Sequence, residues 1–506
     1  MKKSLPVLLL ALCLLLGGCI GDPEPDATPS PTPSAVVEEQ AEFALACYPE
    51  AGFHPITGAN RTNLTLAGLV YEGLYALDQQ FEPQAQLCTE GVQDAGGLSW
   101  TFTLRTGITF SDGSPLTSAE VKSSLDLART SALYASRLSD ITNVTAGEGT
   151  VTVTLSRANG NLPALLDIPI VKETGGVPLG TGPYVLSGAG EDWSLTARQG
   201  WWQGEELPLQ TIPLRSIQET DDLIHAFDTR DIALVSTDLT GTNALGFSGS
   251  FDTVDYPTSI MLYVGFNVKS GPCRTAGVRQ ALLRAFDRTS VSTAIYSSHA
   301  QPAALPISPA SAYYQKALAQ DLEYSTQQAA QLLTDAGWTQ EESGWTQGRQ
   351  TLSLTFVAPS DNATRASAAE KLAAGLTDLG LQVDLQLLSW DDYVTALEQG
   401  DFDLYLGEVK LTADFDLTAL ITAGGSLNYG GYADAEAATL LQQYRAASGQ
   451  GRDLSAKRLC ERLMEEPPFG VICFKNWSVL TQWSRISNLT PTQQNVFYGF
   501  AQWDIA

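Results

Sequence analysis

The sequence has few histidines, few positive charges and almost no long hydrophobic runs. Its 506 residues include three histidines, at positions 54, 225 and 299, which are too widely scattered for a metal-ligand pattern. Aspartate and glutamate number 56 against 29 lysines and arginines, giving a formal net charge of −27. This charge argues against nucleic acid and anionic lipid as partners. Beyond the N-terminus no apolar run is long enough to span a membrane.

Sequence motifs of common enzymes are also missing. No HExxH, CxxC, GxSxG or dinucleotide-binding fingerprint occurs, and no GK[ST] follows the glycine cluster at residues 180–182. Residues 246–250 resemble a nucleophile elbow, but Ser250 stands where the final glycine is required. We therefore predict a protein that is not an enzyme and that needs no metal and no cofactor. A secreted hydrolase stays an alternative, because a triad assembled in space leaves no local motif.

The first residues are predicted to form an export signal. Two lysines precede an apolar segment at residues 5–16, which is too short for a comfortable membrane span. The sequence Leu-Gly-Gly-Cys at residues 16–19 resembles a lipobox, which implies a signal peptide of residues 1–18 and lipidation of Cys19. Residues 19–40 are rich in Pro, Ser and Thr and are predicted to be a disordered tether. Two acyl chains on Cys19 would hold the protein at the extracytoplasmic face of the cell membrane.

Five of the seven cysteines lie beyond Cys19. Export permits disulfides, and Cys47–Cys88 and Cys460–Cys473 are conceivable pairs, but spacing does not decide the connectivity. Because five is an odd number, at least one thiol is predicted to be free and buried as a small hydrophobe.

Residues 98–121 carry several local signals in succession. Trp100, Phe102 and Leu104 alternate with polar residues, which is the period of a strand with one buried face. A turn follows, and Thr117-x-x-Glu120 is a capping box that predicts the start of a helix.

The second half of the chain predicts a βαβ unit. Alternating apolar residues at 352–356 predict a strand, and a helix with apolar spacing at 369–379 is stopped by Gly380. Alternation at 383–387 predicts the next strand, so parallel pairing is expected. Further helices are predicted at residues 63–75 and after Ser325, which opens a capping box with Gln328.

Several segments resemble bacterial extracellular solute-binding proteins of family 5, the oligopeptide-binding class that serves ABC transporters. They occur in the family's order over about residues 42–490. In chain order they are residues 98–121, GTGPY at 180–184, YVGFN at 263–267, VRQAL at 278–282 and DFDL at 401–404.

The resemblance implies an α/β fold with the two-lobed clamshell of periplasmic binding proteins (type II, cluster C) and an extra subdomain inserted in the first lobe. Closure would occur about two crossing strands. The implied divisions are residues 41–67, 180–260 and 475–506 for lobe I, 68–179 for the inserted subdomain, and 261–474 for lobe II.

The resemblance also implies the binding residues. Asp414 would accept the α-ammonium group of a peptide, and Trp390 would line a side-chain pocket. Tyr134, in YASRL, would face the ligand from the first lobe, and Asn428 belongs to a matching loop whose alternative role is structural. The sequence departs from the family at Leu411, which replaces a tryptophan that commonly stands three residues before the aspartate.

The implied function is the lipid-anchored substrate-binding component of an ABC importer for oligopeptides. Its expected partners are a peptide or other small solute, the permease subunits and, through the N-terminal lipid, the membrane, and the protein is expected to be a monomer. Two alternatives stay open: a ligand-sensing lipoprotein that is not coupled to import, and a binder of a saccharide or metal complex.

Overall fold

The computed structural model describes residues 42–482 and 485–506. The predicted signal peptide, the lipidation site Cys19 and the tether lie outside the described residues. Residues 42–506 form one compact unit. Within its described residues no helix is both long and apolar enough to cross a membrane.

The strands are short apart from two. The exceptions are β12 and β20, which cross the molecule. In chain order the strands are β1 Leu45–Cys47, β2 Tyr75–Leu77, β3 Pro83–Ala85, β4 Cys88–Gln93, β5 Ser99–Leu104, β6 Ile141–Ala146, β7 Thr150–Leu155, β8 Tyr184–Ala189, β9 Asp192–Ala197, β10 Thr211–Ser216, β11 Leu234–Thr237, β12 Phe251–Phe266, β13 Ala300–Pro302, β14 Thr339–Glu341, β15 Gly344–Gln347, β16 Gln350–Thr351, β17 Ser353–Pro359, β18 Gln382–Leu388, β19 Leu404–Lys410, β20 Phe469–Gln482, β21 Ile486–Ser487 and β22 Asp504–Ile505.

Most of the helices lie in the C-terminal half. They are α1 Arg61–Val70, α2 Ser118–Ala128, α3 Thr220–Asp228, α4 Ala276–Ala285, α5 Arg288–Ser290, α6 Lys316–Gln320, α7 Thr326–Asp335, α8 Ala363–Asp378, α9 Trp390–Gln399, α10 Thr418–Ile421, α11 Ala435–Ala446 and α12 Gly449–Glu465.

Three larger sheets are formed by different parts of the chain. One sheet has the order β1-β10-β9-β8, and a second, formed by residues 88–155, has the order β4-β5-β7-β6. The largest sheet has the order β11-β20-β12-β19-β17-β18, with β13 paired to β20. The mixture of parallel and antiparallel pairs with helices is the α/β class that the sequence predicts.

Two long strands connect the two main hydrophobic cores, a first core that includes Leu45 and Phe102 and a second core that includes Phe266 and Phe356. Along β12 the buried side chains belong to the first core at Tyr256 and to the second core from Met261 onward. Along β20 they belong to the second core at Phe474 and to the first at Val479. The register between these strands shifts between Pro257 and Met261, where the cores change. These two strands therefore run from one core into the other.

Local signals in the sequence predicted several elements correctly. Strand β5 buries Trp100, Phe102 and Leu104 on one face. Helix α2 begins after Thr117, and the capping box with Glu120 is formed. Strands β17 and β18 pair in parallel and are connected in the chain by helix α8, as predicted.

The predicted helix at residues 63–75 is wrong at both ends. Helix α1 begins at Arg61, because the side chain of Asn60 caps it, and ends at Val70. The carbonyl of Val70 accepts a hydrogen bond from the Gly182 amide at 3.0 Å. A Cβ atom at Gly180 would lie 2.0 Å from that carbonyl oxygen. The close approach of this glycine loop therefore turns the chain at Tyr71, which has extended φ and ψ.

The five cysteines of the described residues are free and buried. The two conceivable disulfides are therefore absent from this part of the chain. Burial raises the pKa of the thiols of Cys460 and Cys473 to about 12, so both are neutral and pack as small apolar groups.

Candidate functional site

A cavity of about 390 Å³ lies between the two cores beside the long strands. We call it the cleft. Its first wall comes from α1 and from Tyr256 and Trp477 on β12 and β20. The loops at residues 133–137 and 167–169 form a second wall. Residues 410–413, which comprise the last residue of β19 and the three after it, close the cleft from the side of the second core. A molecule in the cleft would contact residues packed on both cores.

Tyr134 is the predicted site residue that lines the cleft directly. Its ring lies 5.8 Å from the guanidinium of Arg137, which also lines the cleft. The Arg137 side chain donates to the Leu165 carbonyl at 2.8 and 3.1 Å and pairs with Asp167. Burial raises the pKa of the Tyr134 hydroxyl, so the residue offers a neutral donor and an aromatic face.

Asp414 is buried just behind the cleft wall formed by residues 411–413. One carboxylate oxygen accepts from the Asn159 side-chain amide at 2.8 Å, and the other accepts from the Thr412 hydroxyl at 2.5 Å. Its backbone carbonyl accepts from the hydroxyl of Tyr444 at 2.9 Å and from the Arg452 guanidinium at 2.5 Å. Both carboxylate oxygens thus have protein partners in this structure.

Further polar contacts join the same two regions of the chain. Arg445 pairs with both Asp140 and Asp416, the latter at 3.2 Å. The carbonyl of Arg445 accepts from the Gly160 amide at 2.7 Å. We call Asp140, Asn159, Asp414, Asp416 and Arg445 the paired rim. Every charge of this group faces an opposite charge or a hydrogen-bond donor.

The other two predicted ligand contacts lie elsewhere. Trp390 begins α9, is 51% exposed and packs at 5.7 Å against the ring of Tyr393. The Asn428 amide donates to the carbonyls of Thr422 and Tyr432 at 2.8 and 2.7 Å, which holds a turn. Neither side chain lines the cleft.

Sequence reasoning missed the other residues that line the cleft, and three of them form a cluster. Arg61, at the start of α1, places its guanidinium 3.7 Å from the ring centroid of Trp477, and the Lys410 ammonium lies 5.6 Å from the same ring. All three line the cleft. The sequence feature that could have indicated this cluster is Lys410, because it is the one basic residue between Trp390 and Asp414. We call Arg61, Lys410 and Trp477 the cationic base.

The described residues hold no catalytic or metal-binding cluster. His299 contacts Asp255 at 2.9 Å and His54 contacts Glu173 at 3.0 Å, but across residues 42–482 and 485–506 no serine or cysteine bonds to a histidine ring. The same residues contain no group of three or more His, Cys, Asp or Glu side chains that could hold a metal ion.

Comparison with known proteins shows one family over most of the chain. Residues 82–430 match the model described as "Bacterial extracellular solute-binding proteins, family 5 Middle". The oligopeptide-binding protein AppA of Bacillus subtilis is 21% identical, with 92% of each chain covered. The glutathione-binding protein GsiB of Salmonella typhimurium is 26% identical over 56% of this chain and 59% of its own.

Solved structures share the fold. A nickel ABC transporter protein from Bacillus halodurans superposes with a TM-score of 0.73 at 18% identity, covering 92% of this chain and 98% of that chain.

Proposed function

The chain belongs to the bacterial extracellular solute-binding proteins of family 5, and we propose that it is a lipid-anchored protein that captures short peptides for import. It is the extracytoplasmic substrate-binding component of an ABC importer, and it is a binding protein rather than an enzyme. Its fold is the two-lobed fold of such proteins. The peptide substrate, the lipid on Cys19 and the monomeric state are the parts that we propose.

The cleft is the observation that supports a small solute as ligand. Its volume of about 390 Å³ falls in the range of about 300–1,000 Å³ that is typical of small-molecule sites. Because its walls come from both cores, a bound solute would draw the cores together about β12 and β20. A short peptide suits this space better than a long one, and the relative AppA is named as an oligopeptide-binding protein.

Tyr134 is the predicted contact whose position supports a role in the cleft. Asp414 stays a predicted acceptor for a peptide ammonium group, and such binding would have to replace its hydrogen bond with Asn159. Trp390 and Asn428 stay predictions as well.

Native mass spectrometry of the full chain, purified in detergent, tests the proposed substrate. We expect a single protein copy that carries added mass in the range of short peptides, and that loses this mass when it is denatured and refolded. A protein without cargo that also fails to bind a tripeptide mixture would contradict peptide capture.

The lipid anchor has its own test, and the chain offers a matched control. Cys19→Ser is expected to release the protein from the membrane fraction and to abolish palmitate labelling. Cys13→Ser is the control, since Cys13 lies within the predicted signal peptide and leaves with it. Membrane retention of Cys19→Ser would contradict the anchor.

A further inference from the structure

The cleft contains more cationic side chains than carboxylates that pair with them. Arg61, Arg137 and Lys410 line the cleft, although the chain as a whole carries a formal net charge of −27. Arg137 pairs with Asp167. Across the described ranges 42–482 and 485–506, no carboxylate forms an ion pair with Arg61 or Lys410. Both side chains are exposed within the cleft, so a solute that enters it can reach two cations that no carboxylate of the described residues pairs with.

The carboxylates nearest to the cleft are already engaged. Glu72, which lines it, accepts from the Thr181 hydroxyl at 2.7 Å and from the Trp202 indole at 2.8 Å. Asp414 accepts from Asn159 and Thr412. Neither can turn toward the cationic base without giving up buried hydrogen bonds, which is costly.

The cationic base has a defined geometry. Trp477 is its platform, with the Arg61 guanidinium at 3.7 Å and the Lys410 ammonium at 5.6 Å from the ring centroid. The indole nitrogen of Trp477 is buried and has no hydrogen-bond acceptor within the described part of the chain. A stacked guanidinium keeps its edge N–H groups free for a carboxylate, and an ammonium can donate beside it. The three side chains thus offer donors and no acceptor.

Lys410 lies near two other cations of the cleft, Arg137 and Arg61. Removal from bulk water, followed by the nearby charges of Arg137 and Arg61, lowers the pKa of Lys410. Its side chain stays accessible within the cleft, so a solute can reach it. A bound anion would relieve the repulsion among these cations.

We propose that Lys410 and Arg61 bind a carboxylate of the imported solute, so that the substrates are acidic solutes, chiefly short peptides held by a free carboxylate. This inference rests on the proposed function and narrows it. Binding is electrostatic and involves no bond-making.

The test uses two tripeptide mixtures of random sequence without aspartate or glutamate. One mixture carries free C-terminal carboxylates, and the other carries C-terminal amides. Binding of each is measured by native mass spectrometry and calorimetry to the wild-type protein, to Lys410→Met and to the control Lys371→Met. Lys371 is exposed on α8 and has no ion pair among the described residues, so its substitution removes the same charge elsewhere.

We expect the free-acid mixture to bind the wild-type protein and Lys371→Met at least tenfold more tightly than the amide mixture. Lys410→Met should lose most of that preference while melting at an unchanged or higher temperature. Equal binding of acids and amides to the wild-type protein, or an unchanged preference in Lys410→Met, would overturn the carboxylate site and leave peptide capture standing. Binding of neither mixture would overturn peptide capture itself.

Discussion

The paired rim and the cationic base each include part of the short segment 410–416, yet the charges of the two groups differ in whether the protein itself pairs them. At the rim, Asp414 is held by Asn159, and Arg445 is held by Asp140 and Asp416. At the base, Lys410 and Arg61 have no carboxylate partner within the described residues. The charges of the paired rim are neutralised by other residues of the protein. In our proposal, the charges of the cationic base are neutralised only when the carboxylate of a ligand binds.

The largest expected effect comes from removing both cations of the base. Arg61→Gln with Lys410→Met should weaken binding of a free-acid tripeptide by about 100-fold, or about 2.7 kcal/mol, because both charged donors are lost. Calorimetry would measure the affinity. Arg349→Gln with Lys371→Met is the matched control, since both side chains are exposed. A loss below threefold would mean that the base is structural, like the rim.

Truncating the rim should affect stability more than binding. Asp414→Ala leaves the buried Asn159 amide and the Thr412 hydroxyl without an acceptor, which should lower the free energy of unfolding by about 1–3 kcal/mol. Chemical denaturation would measure this, with exposed Asp401→Ala as control.

The same variant tests Asp414 as an ammonium acceptor. If Asp414→Ala weakened binding of a free-amine tripeptide tenfold and left its N-acetylated form unaffected, the rim would also be a ligand site and the comparison would fail. If Asp414→Ala changed the affinity for the free-amine and the N-acetylated peptide equally, Asp414 would have a structural role only.

Affinity for an acid should fall with rising pH because the anion binds protonated Lys410. Removal from water and the charges of Arg137 and Arg61 lower the pKa of Lys410 in the free protein, and a bound carboxylate raises it again. Affinity should therefore begin to fall as pH rises through the lowered pKa of Lys410 in the free protein, and should have decreased several-fold by a pH of about 10, near the ordinary lysine value.

An N-acetylated tripeptide acid is the probe for this pH series, so that the peptide amine does not titrate. Two other groups near Lys410 also titrate: burial lowers the pKa of Arg137 to about 10 and raises that of Tyr256 to about 12, so Arg137 loses part of its charge at the upper end of the series in both the wild-type protein and Lys410→Met. Titration calorimetry at stepped pH should give an affinity that falls more steeply and from a lower pH for the wild-type protein than for Lys410→Met, in which only Arg137 still titrates near pH 10. An equal pH dependence of the two proteins would remove Lys410 from the site.

The smallest expected effect is on the stability of the empty protein. Lys410→Met should leave the free energy of unfolding within about 0.5 kcal/mol of the wild-type value, because the side chain is exposed and forms no ion pair among the described residues. Denaturation of cargo-free protein would measure this against Lys371→Met. A clear loss of stability would indicate that Lys410 supports the fold.

Sequence reasoning was accurate where the determining contacts are local. The cap at Thr117, the helix after Ser325 and the β17–α8–β18 unit follow from spacings within a few tens of residues. The end of α1 was missed because the loop at residues 180–182 decides it.

The candidate site was the less predictable part for the same reason. The cationic base joins α1, the end of β19 and β20, which are hundreds of residues apart, and no local pattern marks that junction. The partner of Asp414 is Asn159, 255 positions earlier, so a sequence cannot show that the carboxylate is already bonded.

A crystal structure of the protein with the cargo that it retains through purification would test the central claim most directly. The account predicts a carboxylate of that cargo within hydrogen-bond distance of both the Lys410 ammonium and the Arg61 guanidinium, with the Asn159–Asp414 hydrogen bond intact. A cargo that places an amine or an apolar group beside Lys410 would contradict it.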